Sequence, residues 1–250
     1  MDTYFNIRYE FHRDSVHSAI DNRLQSKGAD YICVADGVIL DNANRNPEYL
    51  KVVNSGLFSI CDSSFVPVYI RLIHGEKRNQ YCGAQIFRDI VKSGKYRMAF
   101  YGANQAILES LRRNLMEMNP DVKDMMFREL PFLEADQFDY ASIASEINAD
   151  KPDIIWISLG APKQEYFMHR LRPHLNHGVL IAVGAAFKFY ADGTEKRAPD
   201  WMVNHHMEFL FRITQEPRKQ IRRCRSIIQS LPRLFVHELK QSKRYHITRK

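Results

Sequence analysis

Short runs of β-branched and aromatic residues recur along the chain, most of them ending near a Gly or an Asp: YICVADGVIL at 31–40, LFSIC at 57–61, YRMAFYG at 96–102, DIIWISLG at 153–160 and GVLIAVGAAF at 178–187. Each reads as a strand. Between them the apolar residues change to helical spacing. After YRMAFYG comes NQAILESLRRNLMEM, in which Ile107, Leu108, Leu111 and Leu115 lie on one face; after LGAPKQE comes EYFMHRLRPHL with the same habit. Strands this apolar are expected where helices cover both faces of the sheet. The pattern therefore predicts an α/β fold with a Rossmann-like, mostly parallel sheet flanked by helices.

Strand signals stop near Glu208, and the chain continues as a mixture of basic and apolar residues. This divides it into a core at 1–211 and a helical, basic amphipathic appendage at 212–250. Charge sharpens the division. The net +7 is concentrated at the end: residues 212–250 hold 12 Lys/Arg against 2 Asp/Glu, an excess of +10, which leaves about −3 for the rest. Ile221, Ile227, Ile228, Leu231, Leu234 and Phe235 alternate with these cations, as in a helix lying on an anionic membrane surface. No aromatic platform or DNA-reading motif accompanies the charge, so nucleic acid is not expected as a partner. No run approaches the roughly 18 apolar residues of a spanning helix, and the first residues lack a signal-peptide core. The chain is expected in the cytoplasm, peripherally held at the inner face of the membrane. Cys33, Cys61, Cys82 and Cys224 lack the spacing of a zinc site or a disulfide framework and read as buried thiols.

In open α/β sheets, ligands sit beyond the carboxyl ends of the strands. Two strand-to-helix turns carry suitable chemistry. The first, at Gly102 and Asn104, opens one helix; the second, at Gly160, Pro162, Lys163, Gln164 and Glu165, opens another. A Gly permits close backbone approach, Lys163 offsets phosphate charge, and Gln164 and Glu165 offer hydrogen bonds to hydroxyls. Locally, both also fit ordinary capped turns. A third strand ends at Gly184, followed by Phe187, Lys188 and a loop bearing Arg197, whose fork suits a diphosphate. Phe187 and Trp201 could wall a base or sugar, although core filling is the preferred reading of both aromatics; Phe187 stays among the candidate binding residues. Asp62 follows LFSIC directly, where a general base is useful; Asp36 follows YICVA, but Asp36-Gly37 reads first as a turn.

Taken in order, LGAPKQE, VGAAF, KRAPDWM and EFLFRITQEPRK, with YCGAQIF and YRMAFYG upstream, resemble the WecG/TagA/CpsF glycosyltransferase family, glycosyltransferase family 26, over roughly residues 30–235. The resemblance implies transfer of N-acetylmannosamine or a related hexose or uronic acid from a UDP-sugar to an undecaprenyl-diphosphate-linked saccharide, in bacterial capsule or teichoic acid synthesis. It implies an inverting reaction with no cofactor and no essential metal, and Asp62 as general base. Arg212, Arg218, Arg222 and Arg223 would meet the acceptor diphosphate from a membrane-contacting appendage, and self-association is a further implication. Three positions depart from the family pattern. Gln85 stands where Gly-x-Asp is usual, Lys188 replaces an Asp and suggests an acidic sugar, and YICVADG lacks a Thr-x-Asn signature. Gln85 and Lys188 leave a second reading, a nucleotide-binding partner subunit without catalysis. A dinucleotide enzyme is disfavoured because no GxGxxG follows a strand.

Overall fold

The computed structural model describes residues 1–191 and 231–241. Among them one eight-stranded sheet forms the centre: β1 (Asp2–Tyr4), β2 (Ile7–Tyr9), β3 (Asp30–Ala35), β4 (Phe58–Cys61), β5 (Met98–Gly102), β6 (Met126–Arg128), β7 (Ile154–Ser158) and β8 (Val179–Ala182), in the order β1-β2-β4-β3-β8-β7-β5-β6. Only β1 runs antiparallel, pairing with β2 in an edge hairpin; the other pairs are parallel. The Rossmann-like α/β fold expected from the strand pattern is thus the observed one.

Period-two alternation sends the strand side chains into two cores. Tyr31, Cys33, Ala35, Ile155, Ile157, Leu180 and Ala182 face one layer of helices: α2 (Gly37–Arg45), α3 (Pro47–Asn54), α4 (Val66–His74), α7 (Tyr140–Asp150) and α8 (Lys163–Leu171). Ile32, Val34, Met98, Phe100, Ile154, Trp156, Val179 and Ile181 face the other: α1 (Arg13–Leu24), α5 (Gly83–Ser93), α6 (Gln105–Met118) and α9 (Ala186–Tyr190). Trp156 is fully buried there, edge-on to Phe87 at 4.8 Å.

The choice of face follows from handedness. A right-handed crossover between parallel strands places its helix on one face when the chain steps toward one edge and on the opposite face when it steps back. Steps toward the β1 edge (β3 to β4, β6 to β7, β7 to β8) use α2 with α3, α7 and α8, all in the first layer. Steps toward the β6 edge are completed by α1, α5 and α6, all in the second, although the long step from β4 to β5 first passes through α4 in the first layer. Beyond β8 the chain enters α9 in the second layer, whereas its neighbours β3 and β7 both feed helices of the first. The chain therefore parts above β8 and leaves a crevice at the carboxyl end of the sheet.

Two strand readings are corrected in extent. Val38, Ile39 and Leu40 belong to α2, because the Asp36 side chain accepts the Val38 and Ile39 amides at 2.9 Å each and starts the helix. Ala186 and Phe187 likewise begin α9. Cys33, Cys61 and Cys82 are buried and not disulfide-bonded; Cys224 lies outside the described residues. Of the appendage, 231–241 is helical and rests on the core, with Leu234 in the first layer and Glu238 accepting the Phe5 amide at 2.7 Å. Among the described residues no helix is long and apolar enough to cross a membrane.

At the crevice, β5 and β7 approach so closely that a Cβ on Gly102 (φ +112°) would lie 2.3 Å from the Ser158 carbonyl oxygen. Gly75, which ends α4 at φ +73°, has open space around it. Gly102→Ala should therefore cost about 2–4 kcal/mol in urea unfolding, against about 1 kcal/mol for Gly75→Ala, which meets only the backbone penalty. Equal costs would contradict the close packing of the two strand ends.

Candidate active site

The crevice is a cavity of about 540 Å³, lined by Asp36, Asp62, Gly83, Ala103, Ser158, Gly160, Gln164, Gly184 and Lys188 among others. Its size suits a small-molecule ligand. Its walls come from strand ends, from the first turns of α2, α8 and α9 that follow them directly, and from the start of α5.

Asp62 follows β4. Its backbone amide donates to the Ala35 carbonyl at 3.0 Å, its carbonyl accepts from Gln80 Nε2 at 3.1 Å, and its Oδ1 accepts the Gly83 amide at 3.0 Å. The carboxylate is thus tied to the ends of β3 and β4 and to the start of α5, whose amino-terminal dipole favours a negative group there. Asp36, the residue read mainly as a turn, shares the cavity wall with it.

On the opposite wall the turn 159–165 is held by a chain of buried hydrogen bonds. The Gly160 amide donates to Gln164 Oε1 (3.0 Å), Gln164 Nε2 donates to Glu165 Oε1 (2.9 Å), and the Tyr49 hydroxyl donates to Glu165 Oε2 (2.9 Å). Ser158 Oγ donates to the Gly184 carbonyl at 2.6 Å, joining the ends of β7 and β8. Gln164 faces the cavity, while Glu165 lies behind it with no exposed surface. Burial pushes the Glu165 carboxyl up to about 7, against the donors Gln164 and Tyr49, which favour the ionised form.

The remaining sequence candidates are spread around this frame. Gly102 packs on the Ser158 carbonyl, and its successor Ala103 lines the cavity. Asn104 caps α6, accepting the Ile107 amide at 3.0 Å. Pro162 precedes α8 as its cap residue. Lys163 turns outward, with Nζ 4.0 Å from Glu134 and 4.5 Å from the centre of the Phe132 ring. Gln85 is the third residue of α5, and its Oε1 accepts the Cys82 amide at 3.0 Å. A capping role asks for an acceptor at this place, which Gln supplies as well as an acid does. Phe187, a binding candidate in the sequence, is fully buried in the second core and is not among the residues lining the cavity. Lys188 lines the cavity. Arg197, Trp201, Arg212, Arg218, Arg222 and Arg223 lie outside the described residues.

Two contributors escaped the sequence reading. Tyr49 meets Glu165 across 116 positions, a pairing with no local signal. Ser158 is the final residue of β7, and in the sequence its hydroxyl stands in the shadow of Gly160, two positions on. Among the described residues no group of three His, Cys, Asp or Glu side chains gathers to hold a metal ion.

Glu165 makes stability depend on pH. A carboxyl raised from 4.5 to about 7 binds its proton more tightly in the native state than in the unfolded chain. Its contribution is greatest below pH 4.5 and declines as pH rises to about 7, a loss on the order of 3 kcal/mol. Glu165→Gln removes this loss. Between pH 4.5 and 7, denaturant midpoints should shift steadily in favour of the variant relative to the parent; a constant difference would contradict the assignment.

The model of the Glycosyl transferase WecG/TagA/CpsF family matches residues 4–247. Among curated proteins, the N-acetylglucosaminyldiphosphoundecaprenol N-acetyl-beta-D-mannosaminyltransferase of Bacillus spizizenii is 29% identical over 232 residues, covering 89% of this chain and 84% of its own. The proteins of the same name from Bacillus subtilis and Staphylococcus aureus are 24% and 22% identical, with 97% and 88% of this chain and 92% and 83% of theirs covered. With its doubly covered parallel sheet, its crevice of strand ends and a family match over nearly its whole length, this chain belongs to the WecG/TagA/CpsF family of glycosyltransferases.

Proposed function

We propose that this protein transfers a sugar of the N-acetylmannosamine type, or a related hexose or uronic acid, from a UDP-sugar to a saccharide carried on undecaprenyl diphosphate. The names of its relatives support the acceptor class and the type of sugar. The observation that carries the reading is the placement of Asp62: a carboxylate fixed by the Gly83 amide on the wall of a cavity that also presents Lys188.

In the proposed reaction the nucleotide diphosphate lies at the carboxyl edge of the sheet, near Gly160, Gly184 and Lys188. Asp62 takes the proton of the acceptor hydroxyl as its oxygen attacks the anomeric carbon. The bond from that carbon to the diphosphate oxygen breaks with its electron pair, and UDP departs from the opposite side, which inverts the centre. Lys188 and Arg197 offset the charge gathering on the diphosphate, and Arg212, Arg218, Arg222 and Arg223 hold the acceptor diphosphate. No covalent enzyme intermediate, resident cofactor or metal enters the scheme. The basic segment 212–250 would keep the enzyme at an anionic membrane, where such an acceptor resides.

Asp62→Asn keeps an oxygen acceptor for the Gly83 amide and removes only the base. Acceptor-dependent UDP release, measured across a panel of UDP-sugars that includes uronic acids, should fall about 10²–10⁴-fold with UDP binding retained. Unchanged turnover would refute Asp62 as the base. UDP binding by the parent without release on any donor would instead support a nucleotide-binding subunit of another transferase.

A further inference from the structure

Helix α5 spends its first amide on a side chain outside itself: Gly83 donates to Asp62 Oδ1 at 3.0 Å. The place of the Asp62 carboxylate therefore follows the place of the first turn of α5. That turn has little room, since a Cβ on Gly83 would lie 3.0 Å from Val34 Cγ1 of β3. The chain leading into it is tied to the end of β4. The Tyr81 amide donates to the Cys61 carbonyl at 3.1 Å, and Gln80 Nε2 donates to the Asp62 carbonyl at 3.1 Å. Ties along the chain leave rotation about it open; a side chain anchored away from the chain axis closes it.

Tyr81 is such a side chain. Its ring is buried in the second core, and its hydroxyl donates to Asp89 Oδ2, in the second turn of α5, at 2.9 Å. The same hydroxyl lies 3.0 Å from His17 Nε2 of α1 and, having given its proton to Asp89, accepts from that ring. Asp89 is held in turn by Arg13 of α1, whose Nη2 is 2.7 Å from Oδ2 and whose guanidinium stands 5.7 Å from the centre of the Tyr81 ring. Burial first, and then the Asp89 carboxylate, keeps the Tyr81 hydroxyl well above the ordinary phenol range, so it remains a donor. Packing alone does not ask for these partners. A phenylalanine would fill the same space, and a largely buried ion pair contributes little to stability against its desolvation cost. What the four groups supply is direction: they fix the rotation of residue 81, and with it the line along which Gly83 donates.

We infer that Tyr81 is a positioning residue for Asp62: gripped at its hydroxyl by Asp89 and His17, it sets the first turn of α5, whose Gly83 amide aims the carboxylate at the acceptor hydroxyl. This rests on Asp62 as the base proposed above. Tyr81 does not line the cavity, so its influence on the reaction passes through the Gly83–Asp62 contact. Misaiming a reacting group by a fraction of an ångström lowers the rate of the chemical step and leaves donor binding alone.

The test compares Tyr81→Phe with Tyr96→Phe in the full chain. Tyr96 is buried in the same core and donates to Asp21 of α1 at 2.7 Å, but it precedes β5 at the amino end of that strand, away from the cavity. Both variants lose one buried hydroxyl contact to a carboxylate, and both should lower the thermal midpoint. Only Tyr81→Phe should speed exchange of the Gly83 amide, by about tenfold. Only Tyr81→Phe should lower kcat for acceptor-dependent UDP release, by about tenfold, with KM for the UDP-sugar unchanged. In an Asp62→Asn background it should add no further loss, because it acts through that carboxylate. Unchanged Gly83 exchange in Tyr81→Phe, equal effects of the two tyrosine variants, or losses that multiply with Asp62→Asn would each overturn the inference. Full turnover in Asp62→Asn alone would refute the proposed base, while the exchange comparison, which needs no turnover, still decides whether Tyr81 sets the contact.

Discussion

The structure depends on one constraint of parallel sheets: a crossover must be right-handed, so the direction of each step chooses the face its helix covers. β8 is the place where that constraint produces a functional consequence. Its two neighbours send the chain into one helical layer and β8 sends it into the other, which prevents the strand ends from being sealed by a single layer. The cavity is what remains. Its walls are the first turns of α2, α5, α8 and α9 and the ends of β3, β4, β5, β7 and β8. A site made this way holds its groups in place before any ligand arrives, which is the condition for electrostatic stabilisation of a departing diphosphate.

The same crowding explains the polar chain behind the cavity. A turn between β7 and α8 must satisfy its backbone groups without water, and Gln164 does so by accepting the Gly160 amide. That commits the Gln164 amino group to Glu165, and Glu165 in turn draws on Tyr49 from α3. An acidic side chain with no exposed surface is costly when ionised, so the network fixes the turn at the expense of stability at neutral pH. Glu165 therefore holds the turn from behind, while Gln164 is the member of the pair that faces the ligand space.

Much of this was legible in the sequence, for identifiable reasons. β3, β4, β5, β7 and β8 are covered on both faces, so they read as apolar runs, and the Gly and Asp residues that end them mark the edge where ligands bind. The hairpin β1–β2 and the strand β6 have three residues each at the sheet edges and give no such signal. Val38 to Leu40 read as strand because a short apolar run does not distinguish strand from helix; the capping side chain of Asp36 decides it. Residue type was similarly ambiguous at Gln85 and Lys163, where a capping acceptor and an outward-facing cation share the composition of ligand-binding groups. Tyr49 and the clasp of Glu238 on His74 depend on contacts across 116 and 164 positions, which only the assembled fold brings together.

On the proposed function, the crevice above β8 would receive the nucleotide diphosphate. Amide hydrogen exchange with and without UDP tests it in solution and does not require turnover. Exchange should slow on UDP addition in 36–39, 158–164 and 183–188, the segments that line the cavity, with the far edge at β6 unchanged. Protection confined to other segments, or none at saturating UDP, would contradict it.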